Sequence, residues 1–273
     1  MTETLHALVR AALVPVRSEP NVRAEQASQE TLGASLRVLG RSDDWAWVSG
    51  EDRYEGWVQE GGLIYCDRER AEAWWDDPGG RPAVSLDATL ADEAGRVLTR
   101  LPWGARVAVI GDSARLPDGR EGRLVEGRWV EWDERASRFP AEAEALAATA
   151  WQWLGVPYIW GGRTRWGADC SGFVQSVYRL HGFLLPRDSC QQAEVGEPID
   201  HGSRFRALRA GDLLFFRGKQ SERIVHVALS LGGSEILHAA EANGEVMADD
   251  LAGDSELQRS LADRLGSVRR LFP

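Results

Sequence analysis

Cys170 stands in Ala168-Asp169-Cys170-Ser171-Gly172-Phe173-Val174, where small and polar residues give way to an apolar pattern of helical period. Phe173, Val174, Val177, Tyr178 and His181 fall at i, i+1, i+4, i+5 and i+8, one face of a helix that starts at the thiol. Asp169 is placed to cap that helix. The unpaired N–H groups of a first turn, together with the helix dipole, stabilise an anion. A thiolate is such an anion, and a helix start with a cationic neighbour lowers a cysteine pKa from about 8.5 into the range of about 3.5 to 7.5. Cys170 is therefore a candidate nucleophile; the other reading of the stretch is a small buried hydrophobe.

A nucleophilic thiol needs a base in hydrogen-bond reach and a third group to orient that base. The histidines are His6, His181, His201, His226 and His238. Residues 224–231 and 235–240 read as two strands of a hairpin around Gly232-Gly233, with Ile224, His226 and Ala228 on one face of the first and Ile236, His238 and Ala240 on one face of the second. An odd loop centred on Gly232 sets His226 and His238 directly opposite, with Cβ atoms about 4.5 to 5.5 Å apart. An even loop puts them on opposite faces. Zinc held by Cys170, His226 and His238 is the alternative chemistry, but no fourth ligand suggests itself, and no metal or cofactor is expected. His181, three turns from the thiol, reads as polar core or surface, and His6 and His201 suggest no chemistry.

The totals bound the partners. Lys+Arg 32 against Asp+Glu 42 gives −10, a surface that on average repels nucleic acid and anionic membrane and suits an amine-bearing ligand. With 273 residues, 43% of them hydrophobic and including 12 Trp, one to three globular domains with real cores are expected. Cys66, Cys170 and Cys190 are an odd number at no zinc-like spacing, which argues against a disulfide framework. Residues 1–13 lack the basic start and apolar run of a signal peptide, and no segment approaches 18 apolar residues. The expectation is a cytoplasmic protein, with secretion left open for a longer precursor.

Residues 7–64 carry short strands separated by turn residues, the pattern of a small barrel. Residues 84–132 repeat it. Gly33-Ala34-Ser35-Leu36-Arg37-Val38-Leu39-Gly40 aligns with Gly104-Ala105-Arg106-Val107-Ala108-Val109-Ile110-Gly111 at an offset of 71, and Trp57-Val58 with Trp129-Val130 at 72. This predicts two barrels in tandem, joined by a linker over 67–82 with a helical turn or two before Pro78-Gly79-Gly80. A helix over 141–154 follows, capped by Ser137 with Pro140 in its first turn and stopped by Gly155 and Pro157. After it come the Cys170 helix and then strands, an α+β order.

Six motifs in sequence carry a resemblance: Tyr158-x-Trp160-Gly161-Gly162, Asp169-Cys170-Ser171-Gly172, Arg187-x-Ser189-x-x-Gln192, Gly211-Asp212-Leu213, His226-Val227-Ala228-Leu229 and Leu237-His238-Ala239. In that order they resemble the NlpC family of bacterial cell-wall cysteine peptidases, over residues 141–240. The upstream repeats are similar to bacterial SH3-type domains, and the whole architecture resembles the YkfC-like γ-D-glutamyl-L-diamino-acid endopeptidases. The resemblance implies a papain-like catalytic domain over 136–273, preceded by SH3-like barrels over 1–66 and 83–135. It implies Cys170 as nucleophile, His226 as base, His238 as the orienting residue and Tyr158 beside the nucleophile, where its hydroxyl can donate to an oxyanion.

By the same resemblance, Glu19 and Tyr54 of the first barrel, with Asp169, Ser171 and Ser189, bind the free amine of a terminal L-Ala. Ammonium desolvation calls for opposite charge and three acceptors. Carried through the repeat, Glu19 falls on Leu90 and Tyr54 on Glu126, so the second barrel is expected to lack both groups. The implied activity is hydrolysis of the γ-D-glutamyl to diamino acid bond in peptidoglycan-derived peptides, in cell-wall recycling. An N-acetylmuramoyl-L-alanine amidase, an acyl transferase on the same thiol, or a non-catalytic wall-binding module are the alternatives. Arg187 and Gln192 are expected to fix the Ser189 loop, and Gly161 and Gly162 to permit close backbone approach.

Overall fold

The computed structural model describes residues 5–76, 79–200 and 205–272. They form two compact units, 1–138 and 139–273. His201 and Pro78 lie outside the described residues.

In the first unit β1 (His6–Val9), β2 (Leu13–Arg17), β3 (Gln26–Thr31), β4 (Ser35–Ser42), β5 (Trp45–Ser49), β6 (Glu55–Gln59) and β7 (Leu63–Cys66) pair in the order β3-β2-β6-β5-β4-β1-β7. Side-chain alternation sends Val14, Val16, Leu36, Val38, Val48 and Val58 into one core. After the helix α1 (Arg68–Asp76) come β8 (Arg81–Ser85), β9 (Ala88–Ala91), β10 (Val97–Leu101), β11 (Arg106–Ile110), β12 (Ser113–Arg115), β13 (Glu121–Glu126) and β14 (Trp129–Glu131). Their order, β10-β9-β13-β12-β11-β8-β14, repeats the first strand for strand.

The offset of 71 is the structural one, since Ser35 opens β4 and Arg106 opens β11. The offset of 72 is not, because Trp57 lies in the sixth strand of its sheet and Trp129 in the seventh. Strand equivalence moves the counterparts accordingly. Glu19 follows β2 by two residues as Glu93 follows β9, and Tyr54 precedes β6 as Arg120 precedes β13. The second sheet thus has a carboxylate where the sequence alignment put Leu90, and an arginine in place of the tyrosine.

The two sheets are also not beads on a linker. Leu32 is buried in the second core, its carbonyl accepts from the Arg106 N–H at 2.8 Å, and the Arg106 guanidinium pairs with Glu51 (Nη2 to Oε2 2.6 Å) while lying 4.2 Å over the Trp75 ring. The first unit closes with a short helix, α2 (Arg135–Arg138), which contains Ser137.

The second unit has helices first and sheet second. Its elements are α3 (Ala143–Trp151), the two-residue strands β15 (Arg163–Thr164) and β16 (Gly167–Ala168), α4 (Cys170–Leu180), α5 (Ser189–Gln192), β17 (Glu197–Pro198), β18 (Ala210–Gly218), β19 (Ser221–Gly232), β20 (Glu235–Ala240), β21 (Glu245–Asp250), α6 (Glu256–Arg264) and β22 (Leu265–Arg270). The sheet runs β17-β22-β18-β19-β20-β21. Leu214, Phe216, Ala228, Ile236 and Val268 pack with Leu261 of α6, while α3 and α4 lie against β18 and β19.

Glu142 and not Ser137 stands at the start of α3, without a side-chain cap. The Pro140 carbonyl instead meets His181 Nδ1 at 2.7 Å, and His181 Nε2 meets Thr149 Oγ1 at 2.9 Å, so this buried histidine ties α3 to the end of α4. The amphipathic pattern understated α4, of which every residue but Arg179 is buried. Among its inner polar groups, Gln175 Nε2 donates to the Leu185 carbonyl at 2.9 Å and Ser176 Oγ to the Arg163 carbonyl at 2.6 Å.

Candidate active site

Cys170 is the first residue of α4, and Asp169 caps the helix with extended backbone, its Oδ1 accepting from the Gly172 N–H at 2.7 Å. The turn fits only because two glycines meet. A Cβ on Gly172 would lie 2.0 Å from the Gly162 carbonyl oxygen, and one on Gly162 would lie 2.4 Å from that of Gly167. Tyr158 comes in beside the turn, since its backbone bridges to Ala168 and its N–H donates to the Gly244 carbonyl at 2.7 Å.

The electrostatics differ from the expectation of a helix-lowered thiol. Burial pushes Cys170 up to about 12 and the adjacent Asp169 carboxylate adds to that, against the Val227 N–H, Arg187 and the Ser171 N–H. The capping carboxylate offsets the positive end of the helix where the thiol would use it. Burial likewise raises the Tyr158 hydroxyl, with the negative forms of Cys170 and Asp169 next in effect, so the phenol is a neutral donor. His226 is held well below 6.5, first by burial, then by the proximity of His238 and of Arg264. The pair rests as thiol and neutral imidazole rather than as the ion pair.

His226 Nε2 and His238 Nδ1 are 2.8 Å apart. They are not directly opposed. The pairing Leu229 with Leu237 and Ser230 with Ile236, continued along the strands, sets His226 across from Ala240, so the two histidines are diagonal neighbours on one face. Gly232 pairs with Glu235, so the loop is the two residues Gly233-Ser234, an even loop that alone would put the histidines on opposite faces; the one-residue irregularity between Ser230 and Gly232 returns them to one face. Because each ring spends a nitrogen on the other, those two atoms cannot also share a zinc ion. Among the described residues no group of three or more His, Cys, Asp or Glu could hold a metal.

His238 Nε2 lies 3.5 Å from Asp249 Oδ2, both side chains being almost wholly buried, and neither atom has another partner among the described residues. Asp249 Oδ1 accepts from Gln258 Nε2 at 2.9 Å, and contact with His238 holds the carboxyl below its usual range, with Gln258 helping. Gln258 is itself fixed by the capping box of α6, where Ser255 Oγ accepts the Gln258 N–H and Gln258 Oε1 accepts the Ser255 N–H. With neutral His238 donating through Nε2 to Asp249, its Nδ1 is an acceptor for the His226 Nε2 proton. That leaves His226 Nδ1 bare, as the nitrogen able to take a proton from a thiol.

Cys170, His226, His238 and Tyr158 line one cavity of about 800 Å3, with Lys219, Glu241, Glu256 and Arg264 among its other charged residues. Of the residues expected to bind an amine, Asp169 and Ser171 are otherwise engaged. Asp169 accepts from Arg187 at 3.0 and 2.6 Å, from the Gly161 N–H at 2.9 Å and from Ser171 Oγ at 3.2 Å, and Ser171 Oγ accepts from Arg187 at 2.8 Å. All three side chains are buried. Their geometry supports a role in fixing the start of α4 rather than in presenting a free carboxylate. Ser189 opens α5 half-buried, and Gln192 ties that loop to the Ser171 and Pro186 carbonyls.

In the first unit Glu19 is exposed after β2 and Tyr54 is half-buried before β6. The pairing of Arg17 with Trp57 makes β2 and β6 neighbours, so Glu19 and Tyr54 occupy adjacent strand ends. Cys66, Cys170 and Cys190 are free thiols.

Sequence reasoning missed Asp249 and Arg264. Both had a signal: Asn243-Gly244 announces a further hairpin and hence β21, and Ser255-x-x-Gln258 announces the start of α6.

Residues 155–264 match the NlpC/P60 family, and residues 16–63 match the bacterial dipeptidyl-peptidase Sh3 domain. The γ-D-glutamyl-L-lysine dipeptidyl-peptidase of Bacillus cereus is 30% identical over 239 residues, covering 80% of this chain and 68% of that protein. Dipeptidyl-peptidase 6 of Lysinibacillus sphaericus is 26% identical over 283 residues, 98% of this chain and 100% of the relative. A crystal structure of an NlpC/P60 family protein from Bacillus cereus superposes with a TM-score of 0.79 at 23% identity, covering 98% of this chain and 100% of that one, and so shares the fold. The papain-like unit with an SH3-like domain before it, and a relative matched over two thirds of its length, agree: the chain belongs to the NlpC/P60 family of peptidases.

Proposed function

We propose that the chain is a cysteine endopeptidase that hydrolyses the γ-D-glutamyl to diamino acid bond of peptidoglycan-derived peptides bearing a free N-terminal L-Ala. The observation that carries the reading is the 2.8 Å contact between His226 and His238 in the cavity that holds Cys170. The names of the Bacillus and Lysinibacillus relatives support the substrate class.

The resting pair is neutral, so proton transfer accompanies attack. His226 Nδ1 takes the Cys170 proton as Sγ bonds to the γ-carbonyl carbon, and the oxyanion is met by the Tyr158 hydroxyl and the Cys170 N–H. The imidazolium then returns the proton to the departing α-amine of the diamino acid, leaving a thioester. Water, deprotonated by His226, attacks the thioester, and the thiol and L-Ala-D-Glu are released. His238 orients His226 throughout.

In this proposal the second seven-stranded sheet is a further SH3-type domain; the boundaries expected at 83 and 136 move to Arg81, where β8 begins, and to Phe139, where the second unit begins. Glu19 and Tyr54 of the first unit are the groups proposed to bind the free amine, with Ser189 as a further acceptor, while Asp169 and Ser171 fix the start of α4. An enzyme that reads a free amine acts on released peptides, which fits recycling on the cytoplasmic side. Mass spectrometry of products from L-Ala-γ-D-Glu-L-Lys and from its muramyl form tests the reading. L-Ala-D-Glu plus lysine from the free peptide supports it. Release of the muramic sugar with an intact peptide would make the protein an amidase.

A further inference from the structure

The cavity wall formed by α6 has a charge order that catalysis does not use. Glu256, Leu257, Ser260, Leu261 and Arg264 line it at i, i+1, i+4, i+5 and i+8, one stripe of the helix. The stripe begins with a carboxylate and ends with a guanidinium, with Cα positions about 12 Å apart at 1.5 Å per residue. Arg264 is anchored by hydrogen bonds to neutral groups. Its Nε donates to the Ser260 carbonyl at 3.0 Å and Oγ at 3.3 Å, and Nη1 donates to the Arg217 carbonyl at 2.9 Å. Among the described residues no carboxylate pairs with it.

This arginine carries a cost. It is half-buried, burial lowers its pKa with nothing to offset that, and its charge disfavours the protonated form of the neighbouring His226. A cation kept beside the catalytic base needs a compensating anion, and among the described residues no carboxylate supplies one. Lys219, two residues beyond the Arg217 carbonyl that holds Arg264, lies on the same wall and makes that end more positive.

We infer that α6 is the subsite for the departing diamino acid, with Arg264 binding its carboxylate and Glu256 its side-chain ammonium. This rests on the endopeptidase reading. The departing nitrogen must be at His226 to receive its proton, and the α-carboxylate of that residue is two bonds from the nitrogen. The cation next to His226 is therefore where that carboxylate falls. The side chain then extends along the stripe toward Glu256, past Leu257 and Leu261, whose apolar surface suits its methylenes. An ammonium without an adjoining carboxylate suits this end best, so lysine is favoured over diaminopimelate.

The test uses the full chain and four peptides: L-Ala-γ-D-Glu-L-Lys, its C-terminal amide, the same peptide with D-isoglutamine in place of D-Glu, and the norleucine analogue of lysine. The wild-type chain is expected to prefer the free acid to the C-terminal amide by roughly tenfold in kcat/KM, the worth of one charge-assisted hydrogen bond. Arg264→Gln should bring that ratio to within about twofold while leaving the D-isoglutamine ratio unchanged, and Glu256→Gln should do the same to the lysine over norleucine ratio. An acid-to-amide ratio that Arg264→Gln does not move would overturn the inference. So would a collapse of the D-isoglutamine ratio instead, since it would put Arg264 on the D-Glu carboxylate. Failure of the wild-type chain to cleave any of the four would overturn the endopeptidase reading, and this inference with it.

Discussion

Replacing Asp249 tests the tautomer argument, because two small substitutions should rank against intuition. Asp249→Asn is the closer mimic in shape, but its amide cannot choose its orientation. The Oδ1 position faces two donors, Gln258 Nε2 at 2.9 Å and the Asp250 N–H at 3.3 Å, and Gln258 is locked by the capping box. The asparagine carbonyl must go there, which turns its NH2 toward His238 Nε2. His238 then accepts at Nε2, carries its proton on Nδ1, and donates to His226 Nε2. The His226 proton moves to Nδ1, the nitrogen needed to receive the thiol proton. Asp249→Ala removes the orienting carboxylate without imposing the wrong tautomer. At 3.5 Å the lost contact is at the weak end for a charged acceptor, about 1.5 kcal/mol, or roughly tenfold in kcat/KM. Asp249→Asn pays in addition for a donor facing a donor whenever the productive tautomer forms, about 1–3 kcal/mol, and should fall roughly 50-fold or more below wild type. Steady-state kinetics on L-Ala-γ-D-Glu-L-Lys, with melting curves to show that both variants fold, measure the ranking. Activity of Asp249→Asn at or above that of Asp249→Ala would refute the reasoning.

Cys170→Ala should abolish turnover with little change in melting temperature, and turnover at the wild-type rate would remove the thiol from the mechanism. Glu19→Ala should lose most of the preference for a free N-terminal amine over an N-acetylated peptide, as read by competition kinetics. Arg187→Met leaves Asp169 as an uncompensated buried charge and should destabilise the catalytic unit by about 3–5 kcal/mol in denaturant melts. His226 is depressed below 6.5, so the acid limb of kcat/KM should lie below that value. The unfolded chain takes up a proton there that the folded one resists, so stability falls as pH drops below about 6.5. A kcat/KM limb above 7 would contradict the assignment. Gly253→Ala puts a Cβ 2.1 Å from Gln258 Oε1 and should lower kcat more than it raises KM by loosening Asp249.

The elements that position the thiol were legible because their signals are local. A cap residue, a small turn and a 3.6 period mark α4, and alternation around a glycine pair marks the hairpin. What was not legible depended on register and on competition between sites. The histidines meet diagonally because an irregularity at Gly232 shifts one strand, and that glycine, at φ +106°, reads from sequence as part of the turn rather than as a bulge. The repeat was visible where β4 and β11 align. It slipped at Trp57 and Trp129, whose shared chemistry serves different strands.

The same competition decides the chemistry of the site. A capped helix start was expected to favour a thiolate, yet the cap is itself a carboxylate one residue from the sulfur. Arg187 balances that carboxylate through two hydrogen bonds, so its help to the thiolate only partly offsets the carboxylate and burial. Burial then dominates, and the sulfur keeps its proton until substrate arrives. A neutral thiol beside a neutral base resists oxidation and alkylation at rest. Iodoacetamide should therefore modify Cys170 slowly near pH 7 and faster as pH rises, with Asp249→Asn slower than wild type because its base nitrogen is already occupied. Rapid alkylation at pH 6, the mark of a standing thiolate, would show that the helix end outweighs burial, and would return the ion pair to the mechanism.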